Sequence, residues 1–141
     1  MRDYDRLLRV VSKAMIPFIM VFALYVQFHG DFGPGGGFQA GVILAAGLIF
    51  YSLIYGLENT KKLIPPRVVE ILTATGVSLY IFVGMIGIYR GSDFLDYSVL
   101  SQDSVHGQHY GIFLVELGVG ITVFAVMVTI FYMFVGRRRE S

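Results

Sequence analysis

A chain of 141 residues that is 55% hydrophobic and 15% charged lacks the polar surface that a water-soluble domain of this size needs. It has no cysteine, which excludes disulfides, thiol chemistry and Cys-ligated metal or iron–sulfur centres. The net charge of +1 says little, because in such a chain the positions of the charges matter and their sum does not.

Four apolar runs, at about 7–28, 38–57, 68–89 and 112–135, each come near the ~20 residues that carry a helix across ~30 Å of hydrocarbon. Lipid offers the backbone no hydrogen bonds, so helices are the default; barrel strands would be half as long and would alternate in polarity. The expectation is an all-α integral membrane protein with four transmembrane helices and one domain over 1–141. No soluble catalytic domain remains, so an enzyme is not expected.

Arg2, Arg6, Arg9 and Lys13 open the first run, as in a secretory leader. The apolar segment is long, however, and no small-x-small cleavage pattern follows it, so a retained first helix is expected. The four cations share one helical face. Snorkelling to lipid headgroups is the favoured reading, and docking on an acidic neighbour is the sharper one. Pro17 predicts a kink.

Between the first two runs, Phe28 to Gly41 is dense in glycine. Pro34-Gly35-Gly36-Gly37 cannot continue the first helix and opens the second. Gly37 and Gly41 form a GxxxG pair, extended by Ala45, which suits close helix packing. A tight turn with close packing is favoured over a ligand role. Gly35-x-Gly37-x-x-Ala40 fits a dinucleotide fingerprint on paper, yet no strand surrounds it, and a phosphate loop would need Lys where Phe38 stands. No cofactor and no nucleic-acid partner is expected.

The second connection, 58–67, carries Lys61, Lys62 and Arg67, and Glu70 beside it reads as a solvated or ion-paired terminus. Gly76, Gly84 and Gly87 of the third run read as packing. The 90–110 connection holds Phe94, Leu95, Tyr97, Val99 and Leu100, so it is expected to lie against protein or the membrane interface. Asp31, Asp93, Asp96 and Asp103 face only Arg90 on this side; they read as hydrated loops or, more sharply, as an acidic cation mouth. His106 and His109 stand at i,i+3 without a third ligand, so no metal site is expected; as protonatable imidazoles they also allow a pH-sensing reading.

The eleven Lys and Arg residues sort sharply. Arg2, Arg6, Arg9 and Lys13, then Lys61, Lys62 and Arg67, then Arg137, Arg138 and Arg139 share one side, and only Arg90 falls on the other. Short basic loops stay cytoplasmic, which places both termini inside and the glycine corner outside.

On the last run, Gly111, Gly118, Thr122, Ala125 and Thr129 fall within about 40° of one line at ~100° per residue. Glu116 points about 140° away by the same rotation, with Gly120 one turn below. Two faces of one helix thus ask for non-lipid surroundings. A second subunit or a water-filled cavity is expected to cover one of them, so the chain is not expected to be a monomer. Three readings of Glu116 stay open: a bond to the outer loop, a buried neutral carboxyl, or a place on a proton or cation path.

The corner His29-Gly-Asp31-Phe-Gly-Pro34-Gly35-Gly36-Gly37-Phe38-Gln-Ala-Gly41 resembles the signature of the MnhB/MrpB family, one of the small membrane components of multisubunit Na⁺/H⁺ antiporters. The gap between His29 and Pro34 is one residue longer than the family's usual form. The likeness extends to four spans, to Phe94-Leu95-Asp96-Tyr97 in the long loop and to the glycine-bearing last helix with Gly118. It implies a small multi-pass subunit of a cell (inner) membrane antiporter, needed for assembly, a candidate for lining an ion path, and not a transporter alone. Its partners would be the other subunits and lipid, with Na⁺ and H⁺ as the ions moved. By motif match Pro34 and Phe38 are the functional positions, with His29, Asp31 and Glu116 as further candidates. An ion-translocating hydrogenase-type complex is the alternative machine, and a free-standing membrane enzyme the alternative of another class.

Overall fold

The computed structural model describes the backbone of residues 2–30, 35–97 and 104–137, with side chains over 6–30, 35–97 and 107–136. Five helices follow in order: α1 Arg2–Phe28, α2 Gly37–Tyr55, α3 Leu57–Leu63, α4 Pro66–Tyr89 and α5 Ser104–Arg137. Four hold stretches long and apolar enough to cross a membrane, Arg6–Phe28, Gly37–Tyr55, Pro66–Tyr89 and Gly107–Gly136. The four expected spans are therefore present, and the last helix starts earlier than hydropathy suggested. α1 runs on through Pro17 as one helix.

Local chemistry sets the boundaries. α2 stops at Gly56, whose φ of 91° costs little only without a Cβ; its N–H donates to Ser52 O at 2.9 Å. α3 then forms inside what the sequence read as a connection. Its polar residues lack an apolar period, but Glu58 in the first turn and Lys61 and Lys62 in the last complement the helix dipole. Pro65 stands extended before α4, and Pro66 takes its first turn, where a missing N–H costs nothing. α4 closes with Ser92 N–H donating to Gly87 O (3.1 Å) and Gly91 N–H to Ile88 O (2.9 Å), around Gly91 at φ 81°. That pairing is the Schellman end of a helix.

α5 lies between α4 and α2, α2 in turn packs on α1, and α1 barely meets α5. At the end bearing α3, Ala45, Leu48, Leu57, Val69, Ala125, Val128 and Tyr132 form the buried core. There Tyr132 donates its hydroxyl to Ile64 O at 2.9 Å.

This arrangement assigns the two faces of α5. A side chain at Gly76 would come 2.7 Å from Gly118 O and 2.9 Å from Thr122 N, so the small-residue line of α5 is the α4 seam. A side chain at Gly41 would come 2.5 Å from Gly120 O, so the opposite face is the α2 seam. Each face of α5 thus has a neighbouring helix within the chain, α4 on one side and α2 on the other. The sequence argument allowed α5 one internal neighbour, whereas its central place gives it two.

The described part of the long connection lies on the bundle as expected. The Phe94 ring fills the space beside Gly84, and Tyr97 that beside Gly111. Tyr80 meets Phe94 edge-on with centroids 6.4 Å apart. Ser92 donates its hydroxyl to Asp96, and Leu95 takes a positive φ of 68°. Burial, with Tyr80 the lesser cause, pushes the Tyr97 phenol above its ordinary 10.0. Val99, Leu100 and Asp103 lie outside the described residues, as does the His106 side chain.

Candidate functional site

The site forms where the end of α1, the start of α2 and the middle of α5 meet. A helical side chain leans toward the N-terminus of its own helix, and for Glu116 that direction is the glycine corner. A side chain at Gly30 would come 2.5 Å from Glu116 Oε2, and one at Gly36 would come 2.6 Å from Oε1. At Gly37 the approach is backbone to backbone, since a Cβ there would lie 2.7 Å from the Glu116 carbonyl carbon.

The carboxyl group thus stands at the N-terminus of α2, where the first turn's amides have no intrahelical acceptor. α2 supplies neither a capping side chain, since Gly36 precedes it, nor an acid in its first turn. An anion there is worth roughly 0.3–1 kcal/mol against the helix dipole. Glu116 brings a carboxyl group there from a helix about 80 residues downstream.

Beside it opens a cleft of about 460 Å³ lined by Gly35 to Gln39, Val115, Glu116 and Val119. Phe38, 63% exposed, stands on its rim. The corner therefore offers a polar floor, an aromatic rim and an opening on one side of the bundle.

Of the residues singled out from sequence, the fold brings Glu116, Phe38, Gly35, Gly36 and Gly37 together here. Gly41 lies one turn along, against Gly120, whereas Gly118 belongs to the α4 seam. His29 is exposed and stacks on Tyr25 with centroids 4.9 Å apart; it is not among the cleft's lining residues. Asp31 and Pro34 lie outside the described residues. Glu70 is exposed, far along the chain in a separate groove between α4 and α5 with Thr73 and Thr129. Among the described residues no group of three or more His, Cys, Asp or Glu could hold a metal ion.

Sequence reasoning missed Gln27. It is 6% exposed, and its Oε1 lies 2.6 Å from where a side chain at Gly120 would begin. Its signal was available: it is the lone amide in the first apolar run and stands one turn before the corner.

Residues 7–129 match the family model described as a domain related to the MnhB subunit of the Na⁺/H⁺ antiporter. The corresponding Na⁺/H⁺ antiporter component of Alkalihalophilus pseudofirmus, its "B" polypeptide, is 29% identical over 87% of this chain and 92% of its own length. A Staphylococcus aureus protein provisionally named antiporter subunit mnhB2 is 30% identical over 98% of this chain and 99% of its own. Its Staphylococcus haemolyticus counterpart is 29% identical over 92% and 94%. With the family model covering most of the chain and the relatives aligned nearly end to end, this protein belongs to the MnhB family.

Proposed function

We propose that this protein is an integral subunit of a multisubunit monovalent cation/proton antiporter in the cell membrane, exchanging Na⁺ for H⁺ together with its partner subunits. It does not transport alone. Four apolar helices occupy the chain, and the described side chains form no convergent catalytic set, which supports an accessory role over an enzymatic one. The clustering of Lys and Arg supports cytoplasmic termini and an outward glycine corner.

The observation that carries the reading is Glu116 seated on Gly30, Gly36 and Gly37. An ionisable group held at this depth of a transmembrane helix marks an ion path more often than a lipid-facing accident. Phe38 forms the rim of the cleft leading to it, and Pro34, whose ring locks φ, is suited to setting the turn before it. The names of the relatives favour an antiporter over a hydrogenase-type complex.

The test is antiport in everted vesicles. Phe38→Ala, Pro34→Gly and Glu116→Gln should each depress Na⁺-dependent proton efflux at least several-fold while the subunit still co-purifies with its complex. Full activity in all three would overturn a functional corner.

A further inference from the structure

Gln27 is nine-tenths buried among α1, α2 and α5, and among the described residues its Nε2 finds no hydrogen-bond partner. A buried donor left unpaired costs about 1–3 kcal/mol. Gly37 is the shared neighbour of this amide and of Glu116. Gly37 O lies 3.1 Å from the place of a Gly120 Cβ, the same place that Gln27 Oε1 approaches to 2.6 Å. A Cβ on Gly37 would itself meet the backbone of Glu116. Gly120 stands four residues, about 6 Å, along α5 from Glu116. The unpaired donor belongs to a side chain that meets α5 at Gly120, one turn along from a carboxyl group lining an open cleft of about 460 Å³; Gln27 itself is not among that cleft's lining residues. Water occupies about 30 Å³ per molecule, so the cleft admits several.

We propose that this α1–α2–α5 junction is a water-binding site, in which water entering past Glu116 accepts the Gln27 Nε2–H and makes Glu116 a proton-binding group of the subunit. The inference rests on the antiporter reading above and deepens it. A hydronium ion in the cleft gives its proton to the Glu116 carboxylate and is left as neutral water; the new O–H then donates to the water held by Gln27. Only O–H bonds form and break. A bare metal cation fits less well, because the start of α2 presents the positive end of its dipole here. The packed elements bring His29 and Tyr25 of α1 and His109 and Tyr110 of α5 to this end, and the first turn of α2 brings no titratable group.

The chain has no cysteine of its own, so a single introduced thiol reports water cleanly. In the assembled complex, Gln27→Cys should be blocked by silver ions at least tenfold faster than Leu48→Cys in the dry core, with Phe38→Cys on the rim as the fast control. The readout is protection of this subunit from later alkylation, measured as a mass shift. Should Gln27→Cys fail to assemble, radiolysis of the wild-type complex in ¹⁸O-water reads the same site, with label expected at Gln27 and Val119 and none at Leu48. Gln27→Leu keeps the bulk and removes the donor, and should lower antiport several-fold in an intact complex. Position 27 reacting as slowly as position 48, or without ¹⁸O, overturns the water site alone. Unchanged antiport in Gln27→Leu overturns the proton role. Failure to co-purify with other antiporter subunits would instead overturn the subunit reading, whatever silver does.

Discussion

Gly37→Ala tests the close approach on which the corner depends. The new methyl would stand 2.7 Å from the Glu116 carbonyl carbon and 2.9 Å from its Cα, and nearer still to the carbonyl oxygen. Carbon contacts settle at about 3.5–4.0 Å, so α2 must withdraw from α5 by roughly 1 Å, and a gap of that size forfeits a quarter to a half of each lost contact. Backbone atoms have no rotamer to escape into. Overpacking of this kind costs about 1–3 kcal/mol, occasionally more, while replacing a helical glycine returns at most about 0.5–1 kcal/mol. The net expectation is a loss of about 1 kcal/mol. Gly36→Ala is the matched control, because its methyl would meet only the movable end of Glu116, at 2.6 Å from Oε1 and 3.2 Å from Cδ. It should leave stability within about 0.5 kcal/mol, the range of uncoupled substitutions, yet push the carboxyl group off the start of α2 and depress antiport. Thermal unfolding of the detergent-extracted complex, paired with vesicle transport, separates the two. A Gly37→Ala complex as stable as wild type, or a Gly36→Ala complex equally destabilised, would refute the close approach.

Gly84→Ala should expel the Phe94 ring from its seat and expose the 90–97 segment, raising its limited-proteolysis rate about tenfold if the seat is worth ~1.4 kcal/mol. Tyr132→Phe removes the 2.9 Å bond to Ile64 O and should cost about 1 kcal/mol, seen as an earlier thermal transition with the glycine corner unaffected. Tyr97 has its phenol raised above the ordinary 10.0 by burial and then by Tyr80. The folded state holds that proton more tightly than the unfolded chain, so its contribution is present below pH 10 and is lost as pH rises through the folded value. The 90–97 segment should loosen at alkaline pH, and Tyr97→Phe should abolish that loss; thermal scans at about pH 8 and about pH 10.5 check it.

The four spans were legible because lipid leaves the backbone one solution and hydropathy reads its length. The Gly37–Gly41–Ala45 seam was legible for a related reason, since small residues four apart mark a face where backbones meet. α3 was not, because Leu57–Leu63 carries no apolar period and only its charge order favours a helix. The neighbours of α5 were not legible because helix order decides them: periodicity defines two faces, but nothing local says that α4 takes one and α2 the other. Gln27 was overlooked because a single amide in an apolar run declares itself only once its neighbours are known.

The same limit applies to the triple glycine, which in sequence reads as a tight turn with close packing but does not say which glycine serves which. Only Gly35 takes a backbone conformation that side chains avoid, at φ 142°. Gly36, at φ −167°, is extended as any residue can be, and Gly37 begins a helix, where glycine is unfavourable. Conformation therefore explains one glycine and leaves two. Space explains those two: a side chain at either position meets Glu116. The corner is better understood as a socket than as a hinge, shaped so that a carboxyl group from α5 can reach the exposed amides of α2 beside a cleft open to the outside of the bundle.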